Sequence, residues 1–470
     1  MRAHEAGAMH GDIGNRGPGW LRVPADVNAL MPQLWPRNVV RDDSGEVTVA
    51  GLGVGAIAAE YGTPVYVLDE DDLRERCREF QAAFPTEDVY YAGKAFLCRA
   101  VVRMVAEEGM FLDVCTGGEL ATALAAGMPP ERIGFHGNNK SVTELTRALE
   151  AGVGRIIVDS FTEIDRLTAL ARERGVRPRV LIRVTVGVEA HTHEFIATAH
   201  EDQKFGFSLA GGAAIAAALR ILDEDVLELR GLHSHIGSQI FDTSGFEVSA
   251  RRVLALQAQI RDARGVELPE LDLGGGFGIA YTSQDDPAVP AELAKRLRKI
   301  VDSECAVENL AVPHLSIEPG RAIVGPAVFT LYEVGTVKSV PLGAAGEGTD
   351  GRRTYVSVDG GMSDNIRTAL YDASYSATVA SRASTSRPVL ARVVGKHCES
   401  GDVVVKDEFL PADVQPGDLV AVPGTGAYCR SMASNYNHVP RPPVVAVRAG
   451  RARLIVRRET EDDLLALDVG

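Results

Sequence analysis

Residues 111–159 read FLDVCTGGELATALAAGMPPERIGFHGNNKSVTELTRALEAGVGRIIVD. Three short apolar runs stand out in this stretch, Phe111–Val114, Ile133–His136 and Ile156–Asp159. Between them lie two segments of helical composition, Gly118–Ala126 and Val142–Ala151. Strands alternating with helices make βαβ units and a parallel sheet. The rhythm continues in both directions. Val89–Lys94 precedes it. Thr162–Arg174 reads as a further helix, and Val180–Val184, Leu229–His233, Leu271–Leu273 and Leu315–Glu318 follow as strands. Eight β units within about 230 residues match the size of a closed (β/α)8 barrel. An open doubly wound sheet would show the same alternation, because strand order is not written in the sequence.

The pattern changes after residue 328. Val328–Val340, Arg353–Asp359, Val389–Val394, Leu419–Val422 and Val444–Arg457 are β-branched runs separated by turn signals. They predict a C-terminal, mostly antiparallel β-barrel or sandwich domain. Residues 341–353 read as a loose hairpin tip and 379–388 as a loop. The expected organisation is therefore a disordered tail at 1–20 and an N-terminal segment at 21–68 packing with the β domain. The (β/α)8 barrel follows at 69–328 and the β domain at 329–470. Within the N-terminal segment, Glu46–Ala50 is strand-like and is expected to join the β domain.

Composition narrows the function classes. Lys and Arg number 49 against 64 Asp and Glu, a net charge of −15, which excludes a general nucleic-acid binder. No apolar run approaches the ~18 residues of a membrane span. The first twenty residues carry no apolar core, so they do not read as a secretory signal. Six cysteines without a C-x-x-C pair make no disulfide framework, and a reducing cytoplasm fits best.

In a (β/α)8 barrel the chemistry occupies the C-terminal strand ends. Here those ends carry Lys94, Asp113 with Cys115, His136 with Asn138, Asp159, Arg183, His233 with His235, Gly274–Gly276, and Glu318 with Arg321. Lys94 closes an apolar strand and should point into the barrel mouth. A desolvated lysine becomes nucleophilic and can form a Schiff base with an aldehyde, although a rim lysine would occupy the same place. Gly274-Gly-Gly-Phe-Gly278 holds four glycines in five residues, more than a tight turn needs. Tandem glycines let backbone N–H groups wrap an anion, and barrels often bind phosphate after strands seven and eight. Glu318 is a carboxylate facing the mouth, costly unless a cation meets it. Together the three suit pyridoxal 5′-phosphate. Its aldehyde would go to Lys94, its phosphate to Gly275 and Gly276, and its ring nitrogen to Glu318, which keeps the ring protonated as an electron sink.

Other patterns point elsewhere and are weaker. Gly51-Leu-Gly53-Val-Gly-Ala56, with Asp69 18 residues on, fits a dinucleotide fingerprint. No Rossmann half follows, so it reads as a turn before a short helix. His191 with His193, and His233 with His235, have metal-ligand spacing, but no third ligand is evident, and no metal is expected. His235 has another use, lying flat against a cofactor ring. His191 and His193 fall in the long stretch Gly187–Phe207, which has the length of a lid or binding loop. Cys398 sits in a polar loop after a β strand, where a thiol can serve as an acid or be inert.

Nine motifs then stand in a recognisable order. They are Tyr91–Ala95, Asp113–Glu119, His136–Lys140, His233–Gln239, Gly274–Gly276, Glu318–Arg321, Asp364–Tyr371, Cys398–Asp402 and Gly426–Tyr428. Over roughly residues 60–460 the chain resembles the diaminopimelate decarboxylase family, pyridoxal-phosphate enzymes with an alanine-racemase-like barrel. The resemblance implies decarboxylation of meso-2,6-diaminopimelate to L-lysine. It implies that Lys94 carries the cofactor and that His235 stacks on it. Asp113, Ser238, Gly275, Gly276, Glu318, Gly320, Arg321 and Tyr428 would contact the cofactor. Arg321, Arg367, Tyr371, Glu399 and Tyr428 would hold the substrate, and Cys398 would donate a proton. It also implies a homodimer whose Cys398–Glu399 loop reaches the partner's site. Asn435–Pro442 departs from the family's usual run, but it lies beyond Tyr428 and is expected to stay outside the chemistry.

The substrate choice has a physical basis. Arg321 and Arg367 offer carboxylate recognition and Glu399 an anion for an ammonium, which suits a molecule carrying both at its distal end. Ornithine would leave an arginine unpaired. An ornithine or arginine decarboxylase of the same barrel group is the alternative. A catalytically silent homologue acting as a binding partner should have lost Lys94 or Cys398. A racemase of this barrel group would suppress the electron sink that Glu318 supports.

Overall fold

The computed structural model describes residues 17–187, 203–342 and 351–470. They form two compact units. One comprises the described parts of Met1–Leu73, Ile279–Asp286 and Val324–Gly470, and the other the described parts of Arg74–Gly278 and Pro287–Ile323.

The first unit begins with a small antiparallel sheet of β1 (Val39–Arg41), β2 (Val47–Val49) and β3 (Leu52–Gly53). The G-x-G-x-x-A stretch turns through β3 into the eight-residue helix Val54–Tyr61, as a turn before a short helix should. β4 (Val65–Asp69) is buried along its whole length.

The second unit is the barrel. Its strands are β5 (Asp88–Ala92), β6 (Phe111–Val114), β7 (Ile133–Phe135), β8 (Arg155–Val158) and β9 (Arg179–Thr185), followed past the two-residue β10 (Phe207–Ser208) by β11 (Glu228–His233), β12 (Glu270–Asp272) and β13 (His314–Ile317). All eight main strands pair in parallel. β8 pairs with β9 and β13 with β5, so the sheet closes on itself. Closure excludes the open doubly wound alternative. It also explains why these strands are short apolar runs without alternation, since both faces are covered.

Helix starts are set by one recurring device. Thr116, Ser141 and Ser160 cap the helices Gly117–Ala126, Val142–Ala151 and Phe161–Arg174, each accepting from the backbone N–H of a glutamate three residues on. That spacing is the capping-box signature. The same glutamates brace the strand ends. Glu119 accepts from the Cys115 N–H, Glu144 from Gly117, and Glu163 from Asp159. Each of the three helices then stops at a left-handed glycine, Gly127, Gly152 or Gly175.

The first unit resumes with β14 (Val328–Pro341), β15 (Arg352–Val358), β16 (Thr378–Val379), β17 (Pro388–Val394), β18 (Val403–Pro411), β19 (Leu419–Pro423), β20 (Val444–Arg448) and β21 (Arg451–Val456). The sheet runs β18-β17-β15-β14-β4-β20-β21, and β19 also pairs with β14. Several expectations change here. The run Val444–Arg457 is a hairpin of two strands. β18 was not anticipated, because Asp407 and Glu408 interrupt its apolar run. Most pairings are antiparallel, but β15–β17 and β4–β20 are parallel. Glu46–Ala50 joins the core of this unit rather than its large sheet: Val47 and Val49 pack with Phe329, Leu331 and Val445. Residues 279–286, placed by sequence within the barrel, belong to this unit, where Ala280 lies in the same core.

Candidate active site

Lys94 stands in a turn two residues past β5, not in the strand itself. The turn is tightly specified. Gly93 donates to the Asp113 carbonyl at 2.9 Å, and a Cβ on Gly93 would fall 2.8 Å from that oxygen. Any larger residue would push the lysine away from the neighbouring strand end. Ala95 closes the turn on Ala92, and the Tyr91 hydroxyl donates to the Phe96 carbonyl at 2.6 Å.

Around Lys94 the strand ends assemble a buried ionisable cluster. Asp113 is the penultimate residue of β6, His136 follows β7, His233 ends β11, Asp272 ends β12 and Glu318 follows β13; all five are buried. His136 Nε2 lies 3.5 Å from Asp113 Oδ1 and 3.0 Å from Glu318 Oε1, and His233 Nε2 lies 3.2 Å from the same Glu318 oxygen. Burial alone would raise Glu318, but His136 and His233 hold it well below the usual carboxylate range. Its neighbours move the other way. Burial pushes Asp113 up to about 6 and Asp272 well above its ordinary value, with the charge of Glu318 adding to both. The same burial lowers His233 to about 4. Of these carboxylates, Glu318 is therefore the one whose charged form its surroundings favour most.

The glycine run lies beside it. Gly274 donates to Asp272 Oδ1 at 2.7 Å. Gly275 donates to His235 Nδ1 at 3.1 Å, so its N–H fixes the imidazole and the anion cradle narrows toward Gly276. Side chains have no room here. A Cβ on Gly275 would sit 2.1 Å from the Glu318 carbonyl, and one on Gly276 2.3 Å from that of Gly237. Gly320 packs as closely, its Cβ position 2.8 Å from that of Ala92. Arg321 donates to the Ser238 hydroxyl at 2.8 Å. His233 and His235, paired by their spacing, do different things: one faces Glu318, the other Gly275. His136, His233 and Glu318 offer ligand atoms within 4.8 Å of one another, a metal-like grouping that the sequence hid by spreading it over 183 positions.

Lys140, in the His136–Lys140 motif, is a strut. Its Nζ bonds the Gly137 and Ile157 carbonyls and Glu163 Oε1 at 2.7–2.8 Å. Asp159 accepts from the Gly206 N–H, and the Arg183 guanidinium lies over the Phe205 ring. His191 and His193 lie outside the described residues.

The remaining predicted residues belong to the β-rich unit. Arg367, buried on the short helix Arg367–Tyr371, stacks 4.7 Å over Tyr281, 5.5 Å over Tyr375, and bonds the Tyr375 hydroxyl. The Tyr371 hydroxyl approaches Met432 Sδ. Tyr428 adopts φ +65°. Cys398 and Glu399 are exposed on a loop tied down by Asp402, which accepts from the Met362 and His397 N–H groups at 2.6 and 2.7 Å. Asn437 accepts from the Cys398 N–H at 3.3 Å, and its Oδ1 lies 3.1 Å from His397 Nδ1. The irregular Asn435–Pro442 segment thus helps hold the loop that carries Cys398. Sequence reasoning also passed over Asp272, Tyr281 and Tyr375. Of these only Asp272 carried a signal, its place at a strand end.

A lysine at one strand end, a glycine cradle and a charged buried carboxylate are the parts that pyridoxal phosphate requires. The family described as pyridoxal-dependent decarboxylase, pyridoxal binding domain, matches residues 70–325. The chain belongs to the pyridoxal-dependent decarboxylases. Within this family its relatives include the diaminopimelate decarboxylase of Mycobacterium tuberculosis, 60% identical over 448 residues, 94% of this chain and 98% of that one. That of Mycobacterium leprae is 56% identical over 476 residues and covers both chains fully. Among solved structures, the diaminopimelate decarboxylase of M. jannaschii in complex with L-lysine superposes with a TM-score of 0.85 at 31% identity, covering 93% of this chain and 99% of that one. The family resemblance carried by the nine motifs therefore extends over nearly the whole chain.

Proposed function

We propose that this protein, a pyridoxal-phosphate-dependent decarboxylase, removes one carboxyl group of meso-2,6-diaminopimelate as CO2 and yields L-lysine. The observation that carries the chemistry is Glu318, a buried carboxylate kept charged at the barrel mouth beside Lys94 and the glycine cradle. The full-length relatives and the lysine-bound M. jannaschii enzyme support the substrate.

Lys94 would hold the cofactor through its aldehyde carbon. His235, pinned by Gly275, would face the ring, with Asp113 and Glu318 beneath its polar edge. Gly276, Ser238, Gly320 and the Arg321 backbone would take the phosphate end, and Tyr428 would reach both cofactor and substrate. When bound, the cofactor's protonated ring supplies the electron sink that lets CO2 leave. The protein's work is binding and proton control. Arg321 and Arg367 engage the distal carboxylate, with Tyr371 beside them. Arg367 is suited to this because aromatic faces, rather than a carboxylate, hold its guanidinium. Glu399 meets the distal ammonium. Cys398 delivers the proton that replaces CO2 on the α-carbon. Cys398 and Glu399 are exposed in the single chain, which supports a homodimer in which this loop completes the partner's site. Six cysteines that form no disulfide among the described residues fit a reducing cytoplasm.

The test is CO2 release by the protein supplied with pyridoxal phosphate and given meso-diaminopimelate, ornithine or arginine separately. Release from diaminopimelate alone is expected. Release from ornithine or arginine would keep the cofactor and overturn the roles of Arg321, Arg367 and Glu399.

A further inference from the structure

Glu318 has two neighbours whose purpose the proposed chemistry does not assign. His136 comes from the end of β7 and His233 from the end of β11, so they approach Glu318 across the barrel interior from its two flanks. Their Nε2 atoms lie 3.0 and 3.2 Å from the same oxygen, Oε1. The rings meet edge to face, with centroids 5.0 Å apart. Among the described residues His233 Nε2 and Glu318 Oε1 have no better-aligned partner than each other, 3.2 Å apart, so Glu318 is the polar group this ring faces. Apolar side chains would fill the same volume without burying two imidazoles.

The other titratable groups facing Glu318 are Asp113, Asp272, His235 and Arg183. Asp272 shares a hydrogen bond with Glu318 and is driven well above its ordinary range, first by burial and then by the charge of Glu318. Asp272 therefore carries the proton of that pair and Glu318 the charge.

We propose that His136 and His233 are positioning residues that act through Glu318, fixing its carboxylate as the anion that meets the cofactor's ring nitrogen. The inference rests on the pyridoxal reading above. It gives a function to two histidines that sequence spacing offers only as a strand-end polar group and half of a metal pair.

The test uses holoenzyme reconstituted with pyridoxal phosphate carrying ¹⁵N at the ring nitrogen, whose chemical shift is followed against pH. In the wild type the nitrogen stays protonated through neutral pH. In His136→Phe, His233→Leu and the double variant the midpoint of its titration falls by at least about one pH unit, a tenfold loss of proton affinity. The cofactor-stripped double variant also binds pyridoxal phosphate more weakly. His136→Gln, whose amide N–H replaces Nε2–H, keeps the wild-type midpoint. In a Glu318→Gln background the histidine changes add nothing, which a merely structural role would not produce. If the larger changes prevent folding, His136→Gln against the shorter His136→Asn makes the same comparison. An unchanged midpoint in the double variant, equal midpoints for Gln and Asn, or an undiminished effect in the Glu318→Gln background overturns the proposal. Failure of the pyridoxal reading looks different: the wild type itself would then show no Lys94-dependent cofactor absorbance.

Discussion

The barrel mouth and the loop cluster of the β-rich unit handle buried charge in opposite ways. In the barrel, Glu318 is surrounded by imidazoles and held well below the carboxylate range. In the β-rich unit, Asp364 is buried with tyrosines as partners. Its Oδ1 accepts from Tyr332, its other oxygen from the Gly361 N–H at 2.8 Å, and its carbonyl from Tyr66. Burial outweighs these hydrogen bonds, and it rises to about 7. The barrel cluster is fixed by strand ends that a closed ladder cannot shift. The second cluster is fixed by side chains such as Asp402 and Asn437 bonding loop backbone. On the function proposed above, the barrel mouth would take the cofactor and the loops of the β-rich unit would serve substrate and proton delivery.

That division can be broken by mutation. The largest effect is expected from Lys94→Ala, with turnover falling on the order of 10⁴-fold or more and the bound cofactor's absorbance lost. Near-normal turnover would sink the assignment of Lys94. Cys398→Ala should slow turnover by roughly 10²- to 10⁴-fold while the cofactor stays bound. Loss of cofactor, with turnover per bound cofactor unchanged, would mean that the loop serves the barrel's task and that the two regions are not separate in function.

The smallest effect is on stability. The Asp364 carboxyl is raised in the folded state from 3.8 to about 7. Its contribution is therefore full below the unfolded value and is lost as pH rises through about 7. Glu318 has the opposite sign, since its depressed value adds stability that is lost only as pH falls into the acid range. The Tm should thus drop by a few degrees between pH 6 and 8, and Asp364→Asn should flatten that drop. A Tm that falls equally in wild type and variant would show that Asp364 does not set this slope.

Much of this was legible in the sequence, for identifiable reasons. Eight apolar runs separated by helical stretches require buried parallel strands. Gly274–Gly278 stood out because a tight turn does not need four glycines in five residues, whereas Lys94 alone also reads as a rim lysine and gains its meaning only beside the glycines and Glu318. Asn437 could not be found that way. Its importance is a hydrogen bond to a residue 39 positions earlier, and nothing in its own neighbourhood signals it. Tyr281 is similar, a tyrosine in a short excursion that packs against Arg367.

What the sequence determined alone was local: strand and helix periods, the caps that start three of the barrel helices, and the residue types at each strand end. What only the tertiary structure decided was non-local. Ring closure through β13–β5 pairs strands more than 200 residues apart in the chain. The convergence of His136 and His233 on one oxygen of Glu318 depends on that closure. Electrostatic interaction varies with distance through a buried medium rather than with separation along the chain. Which of several buried acids keeps its charge is therefore settled only when the strand ends have met.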